Sequence, residues 1–242
     1  MIACELLKRN FPLILQKPVA LNLNNTLLLK DIIENHNALV LVDHTYLFHP
    51  AFEKLKELVS REPEITGIQS RGTGWGPFRR NCDPLWDWGP HDISMCLAIL
   101  QEFPESVEVE DIKSMEMNGT VGKIITVRLD FPSGVIANLK LGNISKKRER
   151  TFVVQSNDKR FIFDDCSDNK LRITTSMSEE IVSVKDELPL DQVIKSFVSG
   201  LNGQIDERFG FSLAIKVIKV LSEIDHIICG HGKLDNQNLS LD

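Results

Sequence analysis

Ile125-Thr126-Val127-Arg128-Leu129-Asp130-Phe131, then Pro132-Ser133-Gly134, then Val135-Ile136-Ala137-Asn138-Leu139-Lys140-Leu141 is the stretch that decides the fold. Apolar and polar residues alternate along both arms. That is the period of a half-buried strand, because successive side chains leave opposite faces. Pro-Ser-Gly supplies the turn between them, so the arms form a hairpin. Short apolar runs at 151–154, 160–163, 171–174 and 181–184 continue the series with turn residues between them. The expectation is an α+β fold built on a large, mostly antiparallel open sheet.

Upstream of the hairpin the period changes. Phe11-Pro12-Leu13-Ile14-Leu15 and residues 38–42 are short apolar runs suited to buried parallel strands. Between them, Leu27, Leu28, Ile32 and Ile33 have helical spacing, with Asn24 or Asn25 available as an N-cap. One βαβ unit is therefore predicted at the start of the chain. Helices are also predicted over 50–59, with Pro50 at the first position, over 91–100, and along the stripe Leu213, Val217, Val220, Leu221, Ile224 and Ile228. They are expected to pack on one face of the sheet. A strand is expected over 65–71, and residues 72–90, rich in Gly, Pro, Trp and Arg, read as a long functional loop.

Composition narrows the function. The chain of 242 residues is 42% hydrophobic and 26% charged, enough to bury a sizeable core. A net charge of −6 argues against nucleic-acid binding, which needs a basic surface. The one dense basic run, Lys146-Lys147-Arg148-Glu149-Arg150, reads as a solvated hairpin end. Five cysteines without a CxxC pair suggest a reducing compartment, hence the cytoplasm, and no stretch approaches a membrane span. The scattered histidines and cysteines do not form a metal-binding pattern.

Chemistry concentrates in two places. In Trp86-Asp87-Trp88-Gly89-Pro90-His91-Asp92, Pro90 suits a first helical position, which puts His91 in the first turn and Asp87 just before it. A carboxylate near an imidazole can fix its tautomer and favour its protonated form. Asp87 could equally stabilise the loop. Lys17 lies just past the carboxyl end of the first strand, where ligands of open α/β sheets bind; there it could steady a reacting oxygen, or simply be an exposed turn lysine. Trp75 and Trp88 offer flat apolar faces to a sugar ring, and Arg71 and Arg79 could bind its hydroxyls or a carboxylate.

Gln16-Lys17-Pro18-Val19-Ala20-Leu21, Val42-Asp43-His44-Thr45-Tyr46-Leu47-Phe48-His49-Pro50-Ala51 and the segment from Trp86 to Asp92 resemble three ordered landmarks of the Gfo/Idh/MocA oxidoreductases. The resemblance implies NAD or NADP as cofactor and a sugar-like substrate. It also implies catalytic roles for Lys17, Asp87 and His91: His91 exchanging a proton with the substrate hydroxyl, Asp87 orienting it, and Lys17 steadying the oxygen. Gln16 and Lys17 would touch the nicotinamide end. Gln16 stands where the family usually has Glu.

A larger departure is that no GxGxxG turn occurs, and only 16 residues precede Lys17. The reading is thus a remnant of a Rossmann domain at 1–42, a Gfo/Idh/MocA-like domain at 43–230 and a polar tail at 231–242. Poor cofactor binding by the chain alone and self-association through the sheet face are expected. A truncated oxidoreductase, a subunit completed in trans and a cofactor-free sugar-binding or assembly module all remain open at this point.

Overall fold

The computed structural model describes residues 2–117, 119–205, 208 and 210–237, with side chains as far as 230. A helix that periodicity does not predict, α1 (Ile2–Lys8), precedes β1 (Leu13–Gln16), α2 (Leu23–Asn35) and β2 (Val40–Asp43). The two strands pair in parallel, Leu13 opposite Val40 and Gln16 opposite Asp43, which is the expected βαβ unit. Its helix begins earlier than predicted: the cap is Asn22, whose side chain accepts from the Asn25 N–H at 2.8 Å.

A 3-10 turn (Thr45–Phe48) leads to α3 (Pro50–Val59), β3 (Gly67–Trp75) and α4 (Pro84–Leu100). Six strands follow in two antiparallel runs, β4 (Ser106–Met117), β5 (Thr120–Asp130) and β6 (Ile136–Gly142), then β7 (Ile144–Ser156), β8 (Lys159–Asp164) and β9 (Leu171–Thr174), with β3 between β6 and β7. The short β10 (Glu179–Ile181), α5 (Pro189–Leu201) and α6 (Ser212–Gln237) complete the chain, and 238–242 of the expected tail lie outside the described residues. The eight strands lie in the order β10-β9-β8-β7-β3-β6-β5-β4. Only β3 and β6 run parallel; every other neighbouring pair is antiparallel.

The alternating residues of the opening stretch make the centre of this sheet. Ile125 faces Leu141, Val127 faces Leu139 and Leu129 faces Ala137 across the hairpin, and all six are fully buried. Each of the larger side chains contributes about 2 kcal/mol by leaving water. Helix α4 packs on β3, β5 and β6, α6 packs on α4, and α3 covers β8. A smaller core joins Cys4, Leu7, Leu29, Ile33, Val40 and Val42 to Phe211 and Ala214.

Three expectations are corrected. The predicted loop over 72–90 is mostly regular, since β3 runs to Trp75 and α4 starts at Pro84. Helix α4 starts before Pro90 because Asp83 caps it, accepting from the Leu85 N–H at 2.9 Å, with Pro84 in the first turn. Pro90 is interior and withholds one helical hydrogen bond. Close packing holds the helix across that defect: a Cβ on Gly89 would lie 2.8 Å from the Leu221 side chain. The third correction concerns residues 146–150. They belong to β7 rather than to a hairpin end.

Gly142 is where β6 turns towards β7, with φ +143°, and a Cβ there would lie 2.0 Å from the Lys123 carbonyl oxygen. Backbone cannot step aside as a side chain can. Gly142→Ala is expected to cost about 3 kcal/mol, whereas Gly134→Ala, at φ +82° with open space around it, should cost about 1 kcal/mol. Urea unfolding midpoints check the difference; equal losses would refute the steric account.

Candidate active site

The carboxyl end of β1, the 3-10 turn, α4 and the start of β7 meet around a cleft of about 530 Å³. Lys17, Tyr46, Asp87, Trp88, His91 and Arg150 are among its lining residues. Lys17 follows β1, where the strand's pairing ends, and its side chain is 11% exposed. Its ammonium donates to the Asp87 carbonyl at 2.5 Å and lies 3.4 Å from the Asp87 carboxylate. Burial lowers the Lys17 pKa, and the attraction of Asp87 works against that loss.

Asp87 and His91 are one turn apart on α4, yet the Asp87 carboxylate is engaged elsewhere. Its oxygens meet Lys17 and the Arg79 Nε–H, the latter at 3.1 Å. No hydrogen bond joins Asp87 to His91 among the described residues. Asp87 is expected beside the imidazole; in the structure it contacts Lys17 and Arg79 instead. Starting α4 at Pro84 rather than Pro90 makes Asp87 helical, which turns its side chain to the lysine side.

His91 is fixed by stacking instead. Its ring meets Tyr46 edge-on at a centroid separation of 5.0 Å, and its buried Nδ1 has no partner. Burial first, then the Arg150 and Lys17 cations, hold its pKa well below the ordinary histidine range. His91 is thus neutral near pH 7. Tyr46 in turn donates to Asp165 at 3.2 Å and carries the Arg150 guanidinium over its ring at 4.2 Å.

Arg150 is 5% exposed and donates from Nη1 to Asp92, also buried, at 3.0 Å. Ser70 donates to the other Asp92 oxygen. Gly72 makes room for this pair: a Cβ there would lie 2.0 Å from Arg150 Nη1. Sequence reasoning missed Arg150, Asp92 and Tyr46. The signal for Arg150 was present, because it lies two residues before Phe152 and four before Val154, both fully buried, so strand alternation carries it to the same inner face.

Trp75, Arg79 and Trp88 line the cleft. Trp75 is half exposed and meets Phe78 edge-on. Arg71 does not line it; it is an exposed neighbour of Glu149 at 4.0 Å. Gln16 is exposed at the end of β1, where it accepts from the Lys17 N–H at 2.9 Å and donates to the buried Asp43 carboxylate at 3.0 Å. A Glu at 16 would set two carboxylates against each other. That accounts for the neutral residue.

No family model and no curated protein matches the sequence. Solved structures do. A provisionally named oxidoreductase from Magnetospirillum magnetotacticum superposes with a TM-score of 0.83 at 25% identity, over 91% of this chain and 74% of that one. The UDP-N-acetylglucosamine 3-dehydrogenase of Acidithiobacillus ferrooxidans gives 0.79 at 16%, over 92% and 72%. A mutant 3-ketoreductase from Actinomadura kijaniata, in complex with TDP-benzene and NADP, gives 0.74 at 14%, over 93% and 74%. The fold is that of oxidoreductases of the Gfo/Idh/MocA type, as the sequence resemblance implied.

The buried histidines make stability depend on pH. His44 has no partner on either ring nitrogen, and burial, then the Lys17 charge, lowers its pKa to about 4. The unfolded chain, with histidine near 6.5, binds more protons than the folded one between those values, so stability rises with pH across that window and is level above it. Acidification from pH 7 to 4 should remove about 3 kcal/mol through His44 alone. Urea unfolding at the two pH values checks this, and His44→Met should flatten the dependence; an unchanged slope in that variant would refute the assignment to His44.

Proposed function

We propose that the chain forms the substrate side of an NAD(P)-dependent oxidoreductase acting on a ring hydroxyl or carbonyl of a sugar or sugar derivative. The observation that carries this reading is the convergence of Lys17, held by Asp87, and neutral His91 on one cleft flanked by Trp75 and Trp88. A neutral imidazole can take a proton from a hydroxyl, and an ammonium beside it stabilises the oxygen as negative charge develops. Asp87 keeps the ammonium charged and aimed. The indole faces orient the apolar side of the ring.

The residues present fit only the nicotinamide end of the cofactor. Gln16 and Lys17 stand at the carboxyl end of β1, but no GxGxxG turn capable of cradling a pyrophosphate occurs in the sequence. When bound, the nicotinamide supplies hydride transfer. In this reading the dinucleotide-binding residues are supplied by a part other than these 242 residues. The five unpaired cysteines support a cytoplasmic setting. The sheet face left open by the helices is the surface proposed for association with a second copy.

Two measurements test this. Titration of the purified chain with NADH and NADPH should give no saturable enhancement of nicotinamide fluorescence; micromolar saturation would overturn the proposed division of labour. In the oxidoreductase assembled with its dinucleotide-binding part, His91→Asn and Lys17→Met should each lower kcat by roughly 10²- to 10⁴-fold, with far smaller changes in KM. Unchanged turnover in both variants would leave the chain a binding module.

A further inference from the structure

We propose that the substrate taken by this cleft carries an anionic group, a carboxylate or a phosphate, and that Arg150 on its floor receives it, assisted by Arg148 and Lys146 at its rim. This rests on the reading of the cleft as a sugar site.

The charge balance of the cleft is opposite to that of the chain. Five cationic side chains, Lys17, Arg79, Lys146, Arg148 and Arg150, face two carboxylates, Asp87 and Glu149, in a protein of net charge −6. One of those carboxylates is committed to Lys17 and Arg79, and the other to Lys147 at 3.1 Å and Arg71 at 4.0 Å. Among the described residues neither Lys146 nor Arg148 has an acidic partner. Like charges gathered without compensation raise the local concentration of anions.

Arg150 makes this a built site rather than a surface patch. Its guanidinium is buried, and only Nη1 is used, by Asp92; Nε and Nη2 have no partner. Two unmet charged donors in the interior cost more than a neutral pair would, so they mark a place where an acceptor is to be bound. Nearby polar atoms are unmet as well: Thr73 Oγ1 on the adjoining strand and His91 Nδ1 across the cleft. A planar fork with two free donors matches a carboxylate or phosphate edge-on.

Strand geometry places the helpers. β7 bulges against β3 between the Glu149–Thr73 and Ile144–Trp75 pairs, and Lys146 and Arg148, within that bulge, line the cleft together with Arg150. From Val154 back to Lys146, β7 thus passes from apolar core, through one buried cation, to two exposed ones. An anion entering from solvent meets a graded row of positive charge.

Binding of D-glucose, D-glucuronate and D-glucose 6-phosphate to the 242-residue chain, followed by tryptophan fluorescence and calorimetry, tests this. At least one anionic sugar should bind roughly 10- to 100-fold more tightly than glucose, the scale of one or two charge-assisted hydrogen bonds, and the advantage should shrink in 0.5 M NaCl. Comparison of the two anionic sugars separates carboxylate from phosphate. The paired change Asp92→Asn with Arg150→Gln removes both buried charges together and should abolish the preference, with circular dichroism checking the fold; should that variant not fold, Arg148→Gln with Lys146→Gln, both exposed, should cut it severalfold. Glucose binding as tightly as both anions, or a preference that survives in the folded paired variant, overturns the inference while leaving the sugar site intact. Failure of all three sugars to bind overturns the sugar-site reading as well.

Discussion

The contact between Asp92 and Arg150 fixes where helix α4 lies on the sheet. A carboxylate on α4 and a guanidinium on β7 meet over Gly72 of β3, where a Cβ would collide with both. Removing one partner of such a pair leaves a bare charge in the interior, at about 3–5 kcal/mol, so the two elements are coupled in position as well as in energy. Asp87, Trp88 and His91 belong to the same helix and Tyr46 lies beneath the same guanidinium. The cleft inherits its shape from this pair.

The electrostatics of the cleft follow from the same arrangement. Lys17, His44 and His91 are each displaced towards their uncharged forms, chiefly by burial, while Asp87 works against that displacement for Lys17 alone. Acid and base character are thereby separated among neighbours: the lysine retains an anchor for its proton, and the imidazoles do not. An anion seated on Arg150 would offset one of the cations that depress His91 and bring its proton affinity closer to neutrality.

The sheet was legible because its central strands bury one face completely, and alternation at Ile125, Val127 and Leu129 is the direct imprint of that burial. The βαβ unit was legible for the complementary reason, short apolar runs around a helical stripe. Two things were not. Pro90 resembles a helix start, but Asp83 and Pro84 start α4 earlier, and the packing of Gly89 on Leu221, a contact between residues far apart in sequence, carries the helix through Pro90. Likewise a basic run looks like solvent-facing surface until Asp92, 58 positions away, is known to meet Arg150. For the candidate site, Lys17, Asp87 and His91 could be singled out from the resemblance, but the identity of Asp87's partner depended on the helix register. The burial of Arg150 is encoded by its spacing from Phe152 and Val154, but its partners Asp92 and Tyr46 are long-range contacts that local spacing does not encode.

The smaller core has a consequence for how the chain folds. Its apolar surface comes from α1, α2 and β2, all near the amino terminus, and from Phe211 and Ala214 at the threshold of α6. The same helix continues into the main core through Val217, Ile218, Val220, Leu221 and Ile224. The face buried by α2 and β2 is therefore closed only once residues 211–224 have followed in the chain. Until α6 docks, Leu29, Val40 and Val42 have no complete cover, and that one helix is the rivet that joins both cores.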